Sequence, residues 1–385
     1  MPRSPRNQVL IGWLSLSAVL IGATIVAVSL VTPTPTPPPT PTPTPAPVAR
    51  PFSAPVTTTT YTVPSTIDAT GATDAAAALK AFIGTVPNGS VIAFEAGGTY
   101  LLQSGLVVRG RSNLVFEGNG ATLLGKGSTA SMWNDPVVLY GANSGIVIRD
   151  FTIQGNNPNT GTNIYDPNNE GQPGIGVYGG SNIEIADNTI RNTWGDAVYA
   201  ADASGAWTNG LWVHGNTINY IGRNAFTVNA VQNALLEQNS IDNVGGSVLD
   251  IEPDTSTQGV NSLTLRNNSV GVWGLSPTYT MHFVVCANNT SGAGAVIQGI
   301  AITGNTVSQG APSSVNMPNA GGLSTWIGKS RTSNVTFTNN TTTKAGAGPV
   351  LIFEYVDGLT VTGNTQPLAT GSLTYISDST AVVSQ

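Results

Sequence analysis

The stretch "SNIEIADNTI" (Ser181–Ile190) alternates apolar and polar residues through Ile183, Glu184 and Ile185, turns at Asp187–Asn188, and restarts at Thr189. Alternation with a period of two marks a strand with one buried face. The pattern recurs. "NIEIAD", "GLWVHG", "NALLEQ", "SLTLRN", "GIAITG", "NVTFTN" and "GLTVTG" lead into Asn188, Asn216, Asn239, Asn268, Asn305, Asn340 and Asn364, each followed by Thr or Ser. Successive gaps run from 23 to 37 residues. A further apolar strand follows most of them, as in "DAVYA", "NAFTV" and "SVLDI". Repeats of about 20–50 residues indicate a solenoid, with uneven insertions mapping to loops on one side. Short strands, no helical periodicity and one Asn per repeat specify it further. The fold class is all-β, a single-stranded parallel β-helix whose Asn side chains stack at a tight turn and hydrogen-bond along the ladder.

These Asn-turn repeats, from about Ser144 to Thr365, resemble the right-handed parallel β-helix proteins of the pectate-lyase-like superfamily. The segment "IDATGATDAAAALKAFIGTVPNGSVIAFEAGGTYLL" (Ile67–Leu102) is similar to the start of polygalacturonase-like and tailspike-like members, in which a short helix closes the open end of the solenoid. The residues agree: Asp74 is a candidate N-cap for "AAAALKAF", and "PNG" (Pro87–Gly89) stops the helix. An uncapped coil would expose core and strand edges.

Three segments precede or make up the domain. Arg3 and Arg6 stand before the uncharged run Val9–Val31, so residues 1–31 read as a signal anchor or transmembrane helix. "AVS" (Ala27–Ser29) has the small-x-small form of a cleavage site and keeps a cleaved signal peptide open. Residues 32–60 form a Pro/Thr-rich linker in which "PTPTPTPPPTPTPTPAP" (Pro33–Pro47) favours extended polyproline II. Residues 61–385 form the β-helix domain. The basic N-terminal flank predicts an exported domain, membrane-anchored at the cell surface, or secreted if the segment is cleaved. The net charge of −6, with no Lys/Arg cluster, argues against nucleic acid as a partner. Cys286 is the only cysteine, so no internal disulfide forms, and it reads as a core space-filler.

The strand that follows each turn aligns through its inward residues: Ile175 and Val177, Val198 and Ala200, Phe226 and Val228, Leu249 and Ile251. One outward column then reads Gly176, Tyr199, Thr227, Asp250, and the next Tyr178, Ala201, Asn229, Glu252. Preceding positions add Asp196 and Arg223 or Asn224. The next coil, "TYTMHFVVC", is expected to bring His282 or Val284 into the Asp250 column. The insertions Gly155–Pro173, Gly271–Thr280 and Ser308–Gly322 all come before this strand and should wall a groove on one edge of its sheet.

Charged residues are only 9% of the chain, yet "GGSVLDIEPD" (Gly245–Asp254) gathers Asp250, Glu252 and Asp254. Three readings stand: a solvated strand face, a carboxylate pair for acid–base work, and a Ca²⁺ site. In the second, Asp250 and Glu252 lie about 6.5–7 Å apart along the backbone, near the lower end of the roughly 6.5–9.5 Å of inverting glycosidases. Asp196 joins the catalytic set. Arg223, His282, Tyr199, Asn229, Trp194 and Trp273 are the substrate-binding candidates, Arg223 as a bidentate partner for a substrate carboxylate and the aromatic rings as faces for sugars. The segment Asn192–Asp196 is similar to the Asn-Thr-Asp signature of polygalacturonases, with Trp194 in place of the acid. His214 reads as structural, and the two histidines have no metal-ligand spacing. The resemblance implies a carbohydrate-active protein with a polysaccharide partner. Cleavage of glycosidic bonds without a cofactor is the first expectation. A uronic-acid lyase or epimerase, using Ca²⁺, and a non-catalytic binding or adhesion module are the alternatives.

Overall fold

The computed structural model describes residues 50–127, 134–276, 283–286, 294–308, 332–342, 351–354, 356–365, 374–377 and 379–383. Within them the chain winds through three parallel sheets of 12, 10 and 7 strands. Each coil contributes in the same order. Ser181–Ala186 lies in the long sheet, Thr189–Thr193 in the ten-stranded sheet and Val198–Ala201 in the seven-stranded one. Thr208–His214 then returns to pair with Ser181–Ala186, one coil on.

The turn between the first two strands holds the Asn ladder. Asn216 Oδ1 accepts the backbone N–H of Asn188 at 2.9 Å and its Nδ2 at 3.1 Å. The motif repeats without a break through Asn239, Asn268, Asn305, Asn340 and Asn364. The residue before each ladder Asn is left-handed, with φ from 53° to 66°, and is Asp187, Gly215, Gln238, Asn267, Gly304, Asn339 or Gly363. Six of the seven are Gly, Asn or Asp, the residues that tolerate that conformation best, and Gln238 is the exception.

Inward residues stack in continuous columns. Ile146, Ile183, Leu211, Ala234, Leu263 and Ile300 are cross-strand neighbours and all are buried. Cys286 lies in this core, and burial pushes its thiol up to about 12.

At the N-terminal end, Ala76–Thr85 forms a helix that puts Leu79 and Ile83 into the same core. Its N-cap is Ala75, one residue later than the sequence suggests, because Asp74 closes the strand Thr70–Asp74. Asp74 still serves the helix: its Oδ1 accepts the Ala76 N–H at 3.1 Å and ties it to Gln103 N–H at 3.0 Å. Arg111 donates to the carbonyls of Ile83 and Val86 at the other end, placing a cation where the helix dipole is negative.

The segments read as anchor (1–31) and most of the linker lie outside the described residues. Thr59 and Thr60, assigned to the linker by composition, open the strand Thr59–Thr62, which pairs with Ser90–Ala93. Further back, Phe52 packs edge-on to Trp212 at 6.4 Å and Arg50 pairs with Glu184, so backbone pairing and side-chain contacts override composition here. Among the described residues, no helix is long and apolar enough to cross a membrane.

Candidate functional site

The strand that carries the outward columns lies in the seven-stranded sheet. Its register sets Val138, Gly176, Tyr199, Thr227 and Asp250 side by side, and Ile175, Val198, Phe226 and Leu249 beneath them. The column continues to Val285. Val284, offered for the Asp250 column, pairs with Leu249 and faces inward. The connection of more than ten residues from Val270 to this strand carries no alternation, so the count across it slipped by one. His282 lies outside the described residues, as do parts of the second and third insertions.

Arg223 organises the acids. Its Nη2 meets Glu252 Oε2 at 2.5 Å and Asp250 Oδ2 at 3.7 Å, its Nη1 meets Asp196 Oδ2 at 3.4 Å, and its Nε faces Glu170 Oε2 at 3.8 Å. Side-chain exposure grades outward, from 2% at Asp196 and 12% at Asp250 to 29% at Glu252 and 42% at Glu170. Glu170 comes from the insertion Gly155–Pro173. Asn157 fastens that loop to the solenoid through bonds to the carbonyls of Ile164 and Thr193, and Tyr165 holds Glu170 by a hydroxyl bond.

A second polar ladder runs underneath. Asp196 Oδ1 accepts the Asn224 N–H at 2.9 Å, Asn224 Oδ1 accepts the Ser247 N–H at 2.8 Å, and Asn224 Nδ2 donates to Asp250 Oδ2 at 3.1 Å. Asp250 Oδ1 is buried with no partner.

Burial sets the acidities. Desolvation pushes the Asp196 carboxyl up to about 6, against the opposing pull of Arg223 and the Asn224 N–H. Desolvation, with Glu252 adding to it, holds Asp250 well above the ordinary carboxylate range, and Arg223 only partly offsets this. At Arg223 burial pulls downward, but Asp196, Glu252 and Asp250 outweigh it and keep the guanidinium charged. Among the described residues no group of His, Cys, Asp and Glu is arranged to hold a metal ion. The centre of this acid cluster is taken by a guanidinium.

Three parallel sheets, stacked inward columns and an Asn-lined turn decide the fold. It is a right-handed parallel β-helix. No protein-family model matches the chain, and no curated protein matches it by sequence. Among solved structures it is similar to an alginate lyase from Paenibacillus sp. str. FPU-7, with a TM-score of 0.56 and 13% identity over 84% of this chain and 99% of that one. It is also similar to a polygalacturonase from Erwinia carotovora ssp. carotovora, with a TM-score of 0.51 and 12% identity over 88% and 99% of the two chains. At these identities the likeness is one of fold.

The seven-stranded sheet also carries buried polar residues that the sequence reading missed. Asp135 is fully buried three residues before its outward-column residue Val138, as Asp196 stands before Tyr199. Its Oδ2 accepts the Tyr178 hydroxyl at 3.4 Å, its Oδ1 has no partner, and desolvation raises its pKa well above the usual value. Gly176 makes room for this pair: a Cβ there would stand 2.6 Å from Asp135 Oδ2 and 2.6 Å from the Tyr178 ring. Tyr140, Tyr178 and Tyr199 follow one another along the sheet, with centroids 6.3 and 5.8 Å apart. They belong to a small apolar cluster outside the main core. Burial raises the phenols of Tyr178 and Tyr199. The repeated offset of an Asp three residues before an outward position was the signal available for Asp135.

The remaining candidates divide. Tyr199 is half-buried in the outward column, as the register required. Asn229 is 1% exposed, donates to Asp254 Oδ2 at 2.7 Å and leaves its own buried Oδ1 unpartnered. Trp194 is half-buried at the turn before Asp196, with its Nε1 on Asn156 Oδ1 at 2.7 Å. Trp273 is not a groove residue. It is fully buried against Phe283, with its Nε1 on the Ser308 carbonyl, because the chain after Ser269–Val270 dips inward to fill the core. His214 stacks on Trp212 at 3.7 Å and pairs with Glu184, away from the groove sheet.

Proposed function

We propose that the protein acts on a polysaccharide laid over the seven-stranded sheet and cleaves its glycosidic bonds, with Asp250 as proton donor and Glu252 as the paired carboxylate. One observation carries the reading. On a single three-residue strand and its flank, a buried carboxyl with raised pKa and one unpartnered oxygen stands two residues from a more exposed carboxylate fixed by Arg223. Environments that push two carboxyls apart in acidity mark an acid and its partner. Asp196, locked to Asn224 N–H and Arg223, positions the guanidinium.

Asp250 Oδ2 and Glu252 Oε2 lie 3.7 and 2.5 Å from the same nitrogen. Those two oxygens are therefore no more than about 6.2 Å apart, short of the ~6.5–9.5 Å carboxyl spacing of inverting enzymes, which favours the retaining course. Glu252 then attacks the anomeric carbon as Asp250 protonates the leaving oxygen, and water resolves the glycosyl ester. β-Elimination from a uronate fits less well, since it needs a free cation for the substrate carboxylate and Arg223 faces acids on all three nitrogens. Residues 1–31 would export and anchor the domain and the Pro/Thr stretch would space it from the membrane; fractionation of the full-length protein with and without detergent tests this.

The activity test incubates the full-length protein with a panel of neutral and uronic polysaccharides, with and without chelator. New reducing ends without ultraviolet absorbance, and a fall of about 10²–10⁴ in rate for Asp250→Asn, are the expected outcome. Unsaturated products lost on chelation would make it a lyase. Binding without turnover, unchanged in Asp250→Asn/Glu252→Gln, would leave a binding module.

A further inference from the structure

Arg223 is the cation nearest the candidate carboxyl pair, and its donors are already committed. Nη1 faces Asp196, Nη2 faces Glu252 and Asp250, and Nε faces Glu170. A guanidinium binds a carboxylate strongly when it can offer a two-pronged edge. Here each edge is occupied by the protein's own acids. An incoming uronate would have to displace Glu252 or Glu170 to be neutralised.

The surroundings add negative charge. Asp254, exposed at the end of the same segment, is bonded to Asn229, and it acts with Asp196 and Glu252 on the Tyr199 phenol. Leaving Asp250 and Asp135 aside, Asp196, Glu170, Glu252 and Asp254 outnumber the one arginine. The described cation on the outward face of this sheet besides Arg223's flank is Arg109, which lies 4.5 Å over the Tyr140 ring. From Arg109 the column steps through Tyr140, Tyr178, Ala201 and Asn229 to Glu252, about 24 Å at ~4.8 Å per strand. That exceeds a Debye length of about 8–10 Å, so Arg109 does not offset the acids.

We infer that this groove selects uncharged sugars and excludes uronates at the subsite over Arg223. This rests on the saccharide-groove reading above and narrows its substrate class. Carboxylates suit neutral sugars because they accept hydrogen bonds from hydroxyl groups. Glu252 and Asp254 present oxygens there, with the half-buried Tyr199 close enough for both to act on its phenol. A negative ligand group meets repulsion in a partly desolvated site where charges act at short range.

The test uses matched pairs that differ only in charge: oligouronides of several linkages and their carboxyl-reduced forms, titrated into the full-length protein by calorimetry, with chelator and again with Ca²⁺. The reduced member should bind at least about tenfold more tightly at about 0.02 M salt, and the gap should narrow at about 0.5 M salt. Glu170→Gln, which removes an exposed acid and frees Arg223 Nε, should narrow the gap at low salt. Uronates binding as tightly as their neutral partners, with or without Ca²⁺, would overturn the inference and leave the saccharide groove standing. A gap that Glu170→Gln does not move would overturn the role given to Arg223. Failure of every neutral member to bind would sink the saccharide reading and this inference together.

Discussion

Two rows of polar side chains run along this solenoid, and they obey opposite rules. The Asn ladder is neutral and closed: from Asn216 to Asn364 each amide oxygen takes two N–H groups from its neighbour, Asn188 Oδ1 takes the Phe151 N–H, and each Nδ2 reaches a carbonyl as well, as Asn239 does to Val213 at 3.1 Å. The row on the seven-stranded sheet is charged and left open. It borrows the same device, a side-chain oxygen accepting a backbone N–H one coil away, at Asp196 and Asn224. It then adds carboxyls that share one arginine and leaves oxygens of Asp135 and Asp250 without partners. A fully satisfied buried network rigidifies, whereas a partly satisfied one costs stability and persists where it serves a purpose.

The sharpest way to break the contrast is Arg223→Met. It strands Asp196, Asp250 and Glu252 without their cation and should lower stability by about 3–5 kcal/mol at about pH 8, read from urea unfolding, with a smaller loss near pH 5. A loss below about 1 kcal/mol would mean that the acids do not depend on the arginine. Asn239→Ala should cost about 1–3 kcal/mol by orphaning the Asn216 N–H, while Asn216 Nδ2 keeps the carbonyls of Ile185 and His214, with the same loss at both pH values and turnover preserved. A pH-dependent loss would show that the ladder is not electrically silent.

The pH profile of the wild type comes next. Asp196 has a folded pKa of about 6 against an ordinary value of 3.8. The folded state therefore binds the proton more tightly. The contribution is present in full below about pH 4 and is lost as pH rises through about 6, on the order of 2–3 kcal/mol. Asp196→Asn should make unfolding free energy fall less steeply across that window, the remaining slope belonging to Asp135 and Asp250, whose carboxyls are also raised by burial, and an unchanged slope would remove Asp196 from the account. Smallest is Glu170→Gln: at the rim its pair with Arg223 should be worth less than about 1 kcal/mol, so thermal unfolding should barely move.

How far the residues could be read without the fold follows from where alternation holds. All seven ladder positions were legible, because an Asn followed by Thr or Ser recurs after alternating strands. The inward residues from Ile175 to Ile251 were legible too, since a slip would have turned Asp250 into the core. Reading failed where the chain leaves that period. Val285 was missed across a long connection, and Glu170 arises from a loop with no repeat. Trp273 sat in a Gly-rich segment that resembles a surface loop. Asp135 belongs to an earlier coil, outside the set of strands aligned.

The amino-acid sequence alone determined the coil repeat, the ladder and the two outward columns, because side-chain direction in a strand is local and has a period of two. Tertiary structure decided which of those outward acids meet. Asp196, Glu170 and Asp250 come from three separate segments and converge on Arg223 only when the coils stack. Their altered acidities exist for the same reason, since desolvation and charge proximity are properties of the folded neighbourhood.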